Sequence, residues 1–420
     1  MSESTYSNPD VLEQDPWQLP LADLNPAQAA LFANDSQWGY FERLRSEAPV
    51  HYCKDSDFGP YWSVTKYLDI KYVDTHHELF SSEPNIVLQD QNEDFPLPMF
   101  IAMDPPKHDR QRKEVAPVAG PRNLAALEPT IRQRVCDILD ALPVGERFDW
   151  VDKVSIELTT QMLATLFDFP MAERRKLTRW SDVATALPMP GGIVETDEQR
   201  QEELLECLER FTQLWNERVN APRGNDLISM LCHGEATRNM SPMEYLGNLV
   251  LLIVGGNDTT RNTMSASVHA LHDNPEQFEK LRADHTLIPS MVAETIRYQT
   301  PLAHMRRTAK VDTQLGGQAI KAGDKVVMWY VSGNRDERHF EQPDDYIIDR
   351  PNVRSHLSFG FGIHRCMGNR LAEMQLAILW EEILQRFERI EVVGAPERSL
   401  SNFVRGYNSL PVKLHRNVDV

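Results

Sequence analysis

Cys366 sits in a glycine-punctuated loop, Phe359-Gly360-Phe361-Gly362-Ile363-His364-Arg365-Cys366-Met367-Gly368, which leads into a helical pattern from Asn369 to Phe387. A helix N-terminus offers free N–H groups and the positive end of the helix dipole, and both favour a thiolate. Gly362 and Gly368 allow backbone to come close to something flat or bulky beside the sulfur. Phe359 can shield that sulfur from water. The chemistry this suits is sulfur ligation. His364-x-Cys366 could be half of a protein-only metal site, but the chain contains no matching half. A second group is Gly255-Gly256-Asn257-Asp258-Thr259-Thr260. Two glycines inside a helix cost about 2 kcal/mol relative to alanine. A buried carboxylate and two buried hydroxyls need partners or water. Two readings stand: a packing crossover between helices, or a helix opened so that a hydroxyl and a carboxylate face a cavity. A third pair, Glu294-x-x-Arg297, lies on one helical face. Alone it is an ordinary ion pair worth about 0–1 kcal/mol.

The elements that must position these groups are mostly helical. Ser241-Pro242-Met243-Glu244 reads as a capping box with proline at the first helical position. The pattern then continues to Asn274-Pro275, predicting a helix over 242–274 roughly 45–50 Å long. Its middle, Leu249 to Val254, is apolar on every side and belongs in the interior. Helical periodicity also marks Leu124–Leu142, Ile156–Phe167, Glu198–Val219 and a helix opening near Pro289. Strand character is confined to Pro60–Tyr67 and, after the Gly316-Gly317 turn, Lys325–Val331. The expected class is mainly α with a small β region. No repeat and no Gly/Ser-rich linker divides the chain, so residues 1–420 read as one domain with a polar N-terminal extension over 1–26. That extension lacks the pattern of a signal peptide or membrane anchor.

The chain has 420 residues, 41% of them apolar and 25% charged, with a formal net charge of −18. This is a globular composition with ample chain for a core that encloses a ligand. The acidic balance speaks against nucleic acid or an anionic membrane as partner. Cys53, Cys136, Cys207, Cys232 and Cys366 are odd in number and widely spaced, which argues against a disulfide framework or structural zinc site and for a reducing cytoplasm.

Taken in order, Gly-Gly-x-Asp-Thr-Thr, Glu-x-x-Arg and Phe-x-x-Gly-x-x-x-Cys-x-Gly resemble the signature of the cytochromes P450, haem-thiolate monooxygenases, over about Asp104 to Leu414. The resemblance implies the P450 fold and haem b as cofactor. It makes Cys366 the axial thiolate on the iron, which favours O–O cleavage. Asp258 and Thr259 match the acid–alcohol pair that delivers protons for oxygen activation, and Gly255 and Gly256 line the dioxygen groove. Glu294, Arg297 and Arg350 match a buried structural triad bracing the haem-binding loop. The haem propionates need cations. His108 and Arg112, in Asp104-Pro-Pro-Lys-His108-x-x-x-Arg112, match the family's propionate segment, and Arg307 and His364 fit the same role. Arg306 is adjacent to Arg307 and is the alternative. The sequence departs from the common pattern at Arg365, beside the cysteine, and at Gly333, where alanine is usual.

By the same analogy the substrate pocket takes Ile86, Val87, Leu88, the spans 95–103 and 186–194, Leu251, Leu252, Leu302, Ala303, Met305 and Phe403. This set is almost wholly aliphatic and suits a hydrocarbon held by buried area. The runs 251–262 and 299–308 resemble soluble bacterial P450s that hydroxylate the terminal carbon of medium-chain alkanes and related fatty acids. Another apolar substrate, a terpene or aromatic, is the alternative within the class. A haem-thiolate sensor or peroxygenase is the alternative outside it. The chain has no room for a flavin or iron–sulfur domain. The resemblance therefore implies dioxygen and electrons from a ferredoxin and its NADH-dependent reductase, with Arg365, Arg110, Lys113 and Arg370 as a basic patch for that partner.

Overall fold

The computed structural model describes residues 9–417, so the first eight residues of the expected extension lie outside the described residues. The helices are α1 (Ala29–Ala33), α2 (Trp38–Glu47), α3 (Tyr67–Thr75), α4 (Lys107–Val115), α5 (Pro121–Asp140), α6 (Glu157–Phe167) and α7 (Arg175–Thr185). They continue as α8 (Asp197–Arg218), α9 (Leu227–His233), α10 (Pro242–Asp273), α11 (Pro275–Ala283), α12 (Ile288–Gln299), α13 (Tyr330–Gly333) and α14 (Asn369–Arg386). The main sheet joins β1 (Val50–Cys53), β2 (Tyr61–Val64), β3 (Phe80–Ser81), β5 (Met305–Ala309) and β8 (Lys325–Met328), in the order β1-β2-β8-β5-β3. A three-stranded sheet joins β4 (Arg147–Asp149), β9 (Phe387–Val392) and β12 (Pro411–Arg416). The pairs β6 (Thr313–Leu315) with β7 (Gln318–Ile320), and β10 (Glu397–Arg398) with β11 (Tyr407–Ser409), complete the β portion. Among the described residues no helix is long and apolar enough to cross a membrane.

Helix α10 organises the helical part. Ser241 Oγ accepts the Glu244 N–H at 3.2 Å, as a capping residue should. The second half of the expected capping box does not form: the Glu244 carboxylate accepts from Gln111 at 2.6 Å and pairs with Lys107 at 2.8 Å on α4. Leu249 and Ile253 are buried in the core, whereas Val250, Leu251, Leu252 and Val254 line a cavity. Gly256 gives room to Leu163 of α6, since a Cβ there would lie 2.8 Å from the end of that side chain and push it aside. The core continues through Ile131, Trp180, Phe211 and Trp380.

The strands are shorter than expected at their C-terminal ends for a local reason. Past β2, the Asp336 carboxylate accepts the Tyr67 N–H at 2.9 Å and starts α3. Past β8, Trp329 N–H still reaches Val64 carbonyl at 3.0 Å, and the chain then coils into α13. Of the N-terminal extension, the described part packs against α2. Val11 and Leu24 are buried, and Arg43 donates to the carbonyls of Leu19, at 2.7 Å, and Pro16.

Candidate functional site

A cavity of about 670 Å³ lies between α10, the Cys366 loop, α14, β5 and the segment 85–101. That volume is typical of an enzyme site for a small molecule or cofactor. Cys366 lies deep in the chain, yet its side chain faces the cavity and is accessible from it. Its own N–H donates to the Phe359 carbonyl at 2.7 Å. Burial pushes the thiol up, while the N–H groups of Gly368 and Asn369 and the cations Arg112 and Arg365 pull it the other way. The other four thiols lie outside this cavity and are likewise pushed up, mainly by burial.

The loop is pinned from two sides. Asn334 accepts the Leu357 N–H at 2.7 Å and donates to Ser358 Oγ at 2.9 Å. Asp74, at the end of α3, accepts the Phe361 N–H at 2.7 Å, the Tyr330 hydroxyl at 3.0 Å and Arg307 at 2.7 Å. Just past the second anchor Gly362 adopts φ +66°, and a Cβ there would lie 2.5 Å from the Asp74 carbonyl. Only glycine satisfies both constraints.

Arg112, Arg307, His364, Phe359, Gly255 and Gly256 all reach the cavity wall. His108 stands one layer behind, its ring 4.2 Å from that of His364. The two choices at 306 and 307 separate cleanly: Arg307 lines the cavity, whereas Arg306 pairs with Asp90 at 2.8 Å. Arg112 also donates to the Arg365 carbonyl, tying α4 to the loop. Both ring nitrogens of His364, and Nε2 of His108, are buried without a hydrogen-bond partner among the described residues. Burial and the neighbouring Arg307, His108 and Arg112 hold His364 neutral, its pKa lowered to about 2. Two guanidiniums and two under-satisfied imidazoles beside one thiol are a surplus of donors. That surplus fits a bulky dianion whose metal takes the sulfur, which is what haem offers.

Glu294, Arg297 and Arg350 form a buried cluster. Arg297 donates two hydrogen bonds to Glu294 at 2.7 and 2.8 Å, and Arg350 Nε approaches it at 3.1 Å. Arg297 also donates to the Asn334 carbonyl at 2.7 Å, and so reaches the Cys366 loop through Asn334.

Helix α10 is unbroken through residues 255–260, so it is not opened there. Thr259 faces the cavity and its hydroxyl donates back to the Gly255 carbonyl at 2.9 Å. Asp258 does not line the cavity. It is fully buried on the α7 side, where its Oδ1 accepts from Arg261 at 2.9 Å and Asn257 at 3.0 Å. Successive helical residues point about 100° apart, so the two side chains cannot share one face. Burial pushes the Asp258 carboxyl up against the pull of Arg261.

Ile86, Val87, Leu251, Leu252, Leu302, Met305 and Phe403 line the cavity as expected. Leu88 and Ala303 do not. Both pack into the cluster around Phe41 and Trp329, because Leu88 N–H is held by His304 at 3.3 Å and Ala303 N–H by the Phe403 carbonyl at 2.8 Å. From 95–103 the wall takes Phe95, Leu97, Met99, Phe100 and Ile101. The span 186–194 contributes nothing; Ala184 and Thr185 of α7, and Arg200, Gln201 and Leu204 of α8, stand there instead. The wall is also less uniformly aliphatic than expected, since Asn85, Gln89, Asp90 and Gln91 form a polar stretch. Asp74 and Thr185 carry no sequence pattern that marks them, and Asn334 lies in the run 333–336 without its role being marked; each matters through a partner distant in the chain.

A model of the family described as Cytochrome P450 matches residues 125–409. The curated linalool 8-monooxygenase of Pseudomonas putida is 35% identical over 389 residues, covering 89% of this chain and 94% of its own. The methyl-branched lipid omega-hydroxylase of Mycobacterium tuberculosis H37Rv is 31% identical over 413 residues, covering 94% of this chain and 96% of its own. Among solved structures, a chain described as Cytochrome P450-153 from Novosphingobium aromaticivorans superposes with TM-score 0.88 at 50% identity, covering 94% of this chain and 100% of its own.

Proposed function

This chain belongs to the cytochrome P450 family, and on that premise we propose that it hydroxylates the terminal carbon of medium-chain n-alkanes or fatty acids to primary alcohols. The family places it among haem-thiolate monooxygenases, with haem b as cofactor. When bound, haem supplies the redox chemistry of the overall conversion RH + O2 + 2e⁻ + 2H⁺ → ROH + H2O.

The chain's own residues take the remaining tasks. We assign Cys366 as the sulfur ligand and Arg112, Arg307, His108 and His364 as the partners of the propionates. Glu294, Arg297 and Arg350 keep the loop that carries Cys366 in place. Thr259 puts a hydroxyl on the cavity wall beside Gly255, and Asp258, behind it, is the acid assigned to proton delivery.

The observation that carries the substrate reading is the aliphatic wall of Leu251, Leu252, Leu302, Met305, Ile86 and Val87 in the same cavity as Cys366. Such a wall binds a hydrocarbon by area, while the polar stretch Asn85, Gln89, Asp90 and Gln91 occupies another part of the same cavity. A methyl C–H is stronger than an internal one, so terminal attack depends on presenting only the chain end, a matter of positioning. The mycobacterial relative's name, omega-hydroxylase, describes attack of that kind in that protein. With n-octane and a competent electron supply, gas chromatography should find mainly 1-octanol; predominance of internal octanols would reject terminal attack. A terpenoid substrate is the second reading, favoured by the similarity to a linalool 8-monooxygenase. A larger spectral response to linalool than to n-octane would select it.

Electrons come, in this proposal, from an acidic ferredoxin and its NADH-dependent reductase. Arg110, Lys113, Arg365 and Arg370 are all exposed and none of them forms an ion pair among the described residues. They flank the loop that carries Cys366, and steering by such charges acts on the association rate. Lys113→Glu with Arg370→Glu should slow reduction by the ferredoxin about 10-fold at low ionic strength, and by much less in high salt. Stopped-flow reduction at two salt concentrations measures it; equal rates at both would remove the patch from partner binding.

A further inference from the structure

Asp258 is buried behind α10, and the cavity is in front of it. One residue spans the two. Thr185, the last residue of α7, lines the cavity, and its hydroxyl approaches Asp258 Oδ2 at 3.4 Å while donating to the Ser181 carbonyl at 3.0 Å. The other oxygen, Oδ1, is taken by Arg261 and Asn257, and Asn257 is itself held by Thr159 of α6 at 3.0 Å. Oδ2 is therefore the oxygen turned toward the cavity side. On the far side, Arg261 Nη2 is shared with Asp182 of α7, whose side chain is 24% exposed. Two carboxylates on one guanidinium retain a proton more readily than either would alone. Solvent, Asp182, the Arg261 junction, Asp258, Thr185 and the cavity thus follow one another in space.

We propose that Thr185, rather than direct contact, connects Asp258 to the reaction cavity. In the relay, the protonated Asp258 carboxyl gives its proton to Thr185 Oγ1 as the Thr185 hydrogen passes into the cavity. The protons would serve the oxygen chemistry that bound haem supplies, whose overall reaction consumes two protons per turnover. Asp258 then recovers a proton from water reaching it on the Asp182 side, the Arg261 guanidinium holding the two carboxylates without giving up its own proton, so each passage leaves both residues unchanged and moves one proton inward. The 3.4 Å separation is long for two oxygens. Catalytic hydrogen bonds are commonly long before substrate binds and tighten afterwards. The proposal rests on the assignment of Asp258 to proton delivery, and the test separates the two.

The holoenzyme is compared as wild type, Thr185→Val, Thr185→Ser and Asp258→Asn. The first measurement needs no turnover: the infrared carbonyl band of Asp258, identified by its loss in Asp258→Asn. In Thr185→Val it should move to higher wavenumber, because a hydrogen-bond partner is lost, and Thr185→Ser should return it. The second uses the apolar substrate giving the largest spectral response. Product formed per NADH should fall about 10-fold in Thr185→Val, with a larger solvent isotope effect, and recover in Thr185→Ser. Asp258→Asn should add little to Thr185→Val if both lie on one path. If Asp258→Asn changes neither coupling nor isotope effect, the assignment of Asp258 falls and takes the relay with it. If Asp258→Asn impairs both and Thr185→Val impairs neither, the relay alone is overturned. A loss that Thr185→Ser fails to restore belongs to packing and overturns it as well.

Discussion

Cys366→Ser is expected to give a folded protein whose reduced, carbon monoxide-treated spectrum lacks the strongly red-displaced band that sulfur ligation produces. The side chain faces the cavity, so its exchange removes little core packing. The backbone hydrogen bond from residue 366 to the Phe359 carbonyl does not depend on the side chain. The thermal midpoint of the cofactor-free protein should therefore hold to within what about 1 kcal/mol moves. The cofactor's chemistry should not survive. Outer-shell partners of a metal ligand are already worth about 10–100-fold in affinity or activity. The ligand itself should cost more than about 100-fold in substrate-dependent product formation. Serine variants at Cys53, Cys136, Cys207 and Cys232 should keep the band, since those thiols are outside the cavity. A Cys366→Ser protein that retains the displaced band would end the assignment of this sulfur.

The part of the site readable in the sequence is the part built from residues near one another in the chain. The Cys366 loop and the Glu294–Arg297 pair are local patterns, and the resemblance to the P450s that they carry implied the third member, Arg350. The propionate partners came from the resemblance to the P450s, not from spacing, and the structure brings Arg112, Arg307 and His364 of that set to the cavity wall. Asp74 was not readable. It holds the loop at Phe361, 287 positions away, and nothing in its surroundings on α3 announces that. Asn334 is similar, and the departure at its neighbour Gly333 likewise meets distant residues: a Cβ at 333 would lie 2.3 Å from Leu357 and 2.8 Å from Ile70. Leu88 and Ala303 were misplaced because the facing of irregular backbone is set by distant hydrogen bonds, here to His304 and Phe403. Asp258 and Thr259 are the instructive pair. Their adjacency signals function, yet adjacency on a helix also sends their side chains to different faces, and only the structure shows which one meets the cavity.

Glu294→Gln should be the most destabilising single substitution that leaves every cavity-lining residue in place. The carboxylate is fully buried and accepts from Arg297, Arg350 and the Ile347 N–H, the last at 3.0 Å. Both guanidiniums are otherwise satisfied by carbonyls: Asn334, Pro343 and Asp345 for Arg297, and Glu341, Gln342 and Asp345 for Arg350. Carbonyl oxygens solvate a cation but do not neutralise it. Glutamine keeps the shape, removes the negative charge that both guanidiniums contact, and points amide hydrogens at guanidinium hydrogens. Breaking a buried pair from one side costs about 3–5 kcal/mol, against a total of about 5–15 kcal/mol for a folded chain. The urea midpoint should fall accordingly. The damage should also be felt first at the sulfur, because Arg297 grips the Asn334 carbonyl and Asn334 in turn holds Leu357 and Ser358. In a urea titration of the holoenzyme, the sulfur-ligation band should disappear before the far-ultraviolet helix signal in Glu294→Gln, and together with it in the wild type. Coincident loss of the two signals in the variant, at the wild-type midpoint, would show that the triad does not brace the loop.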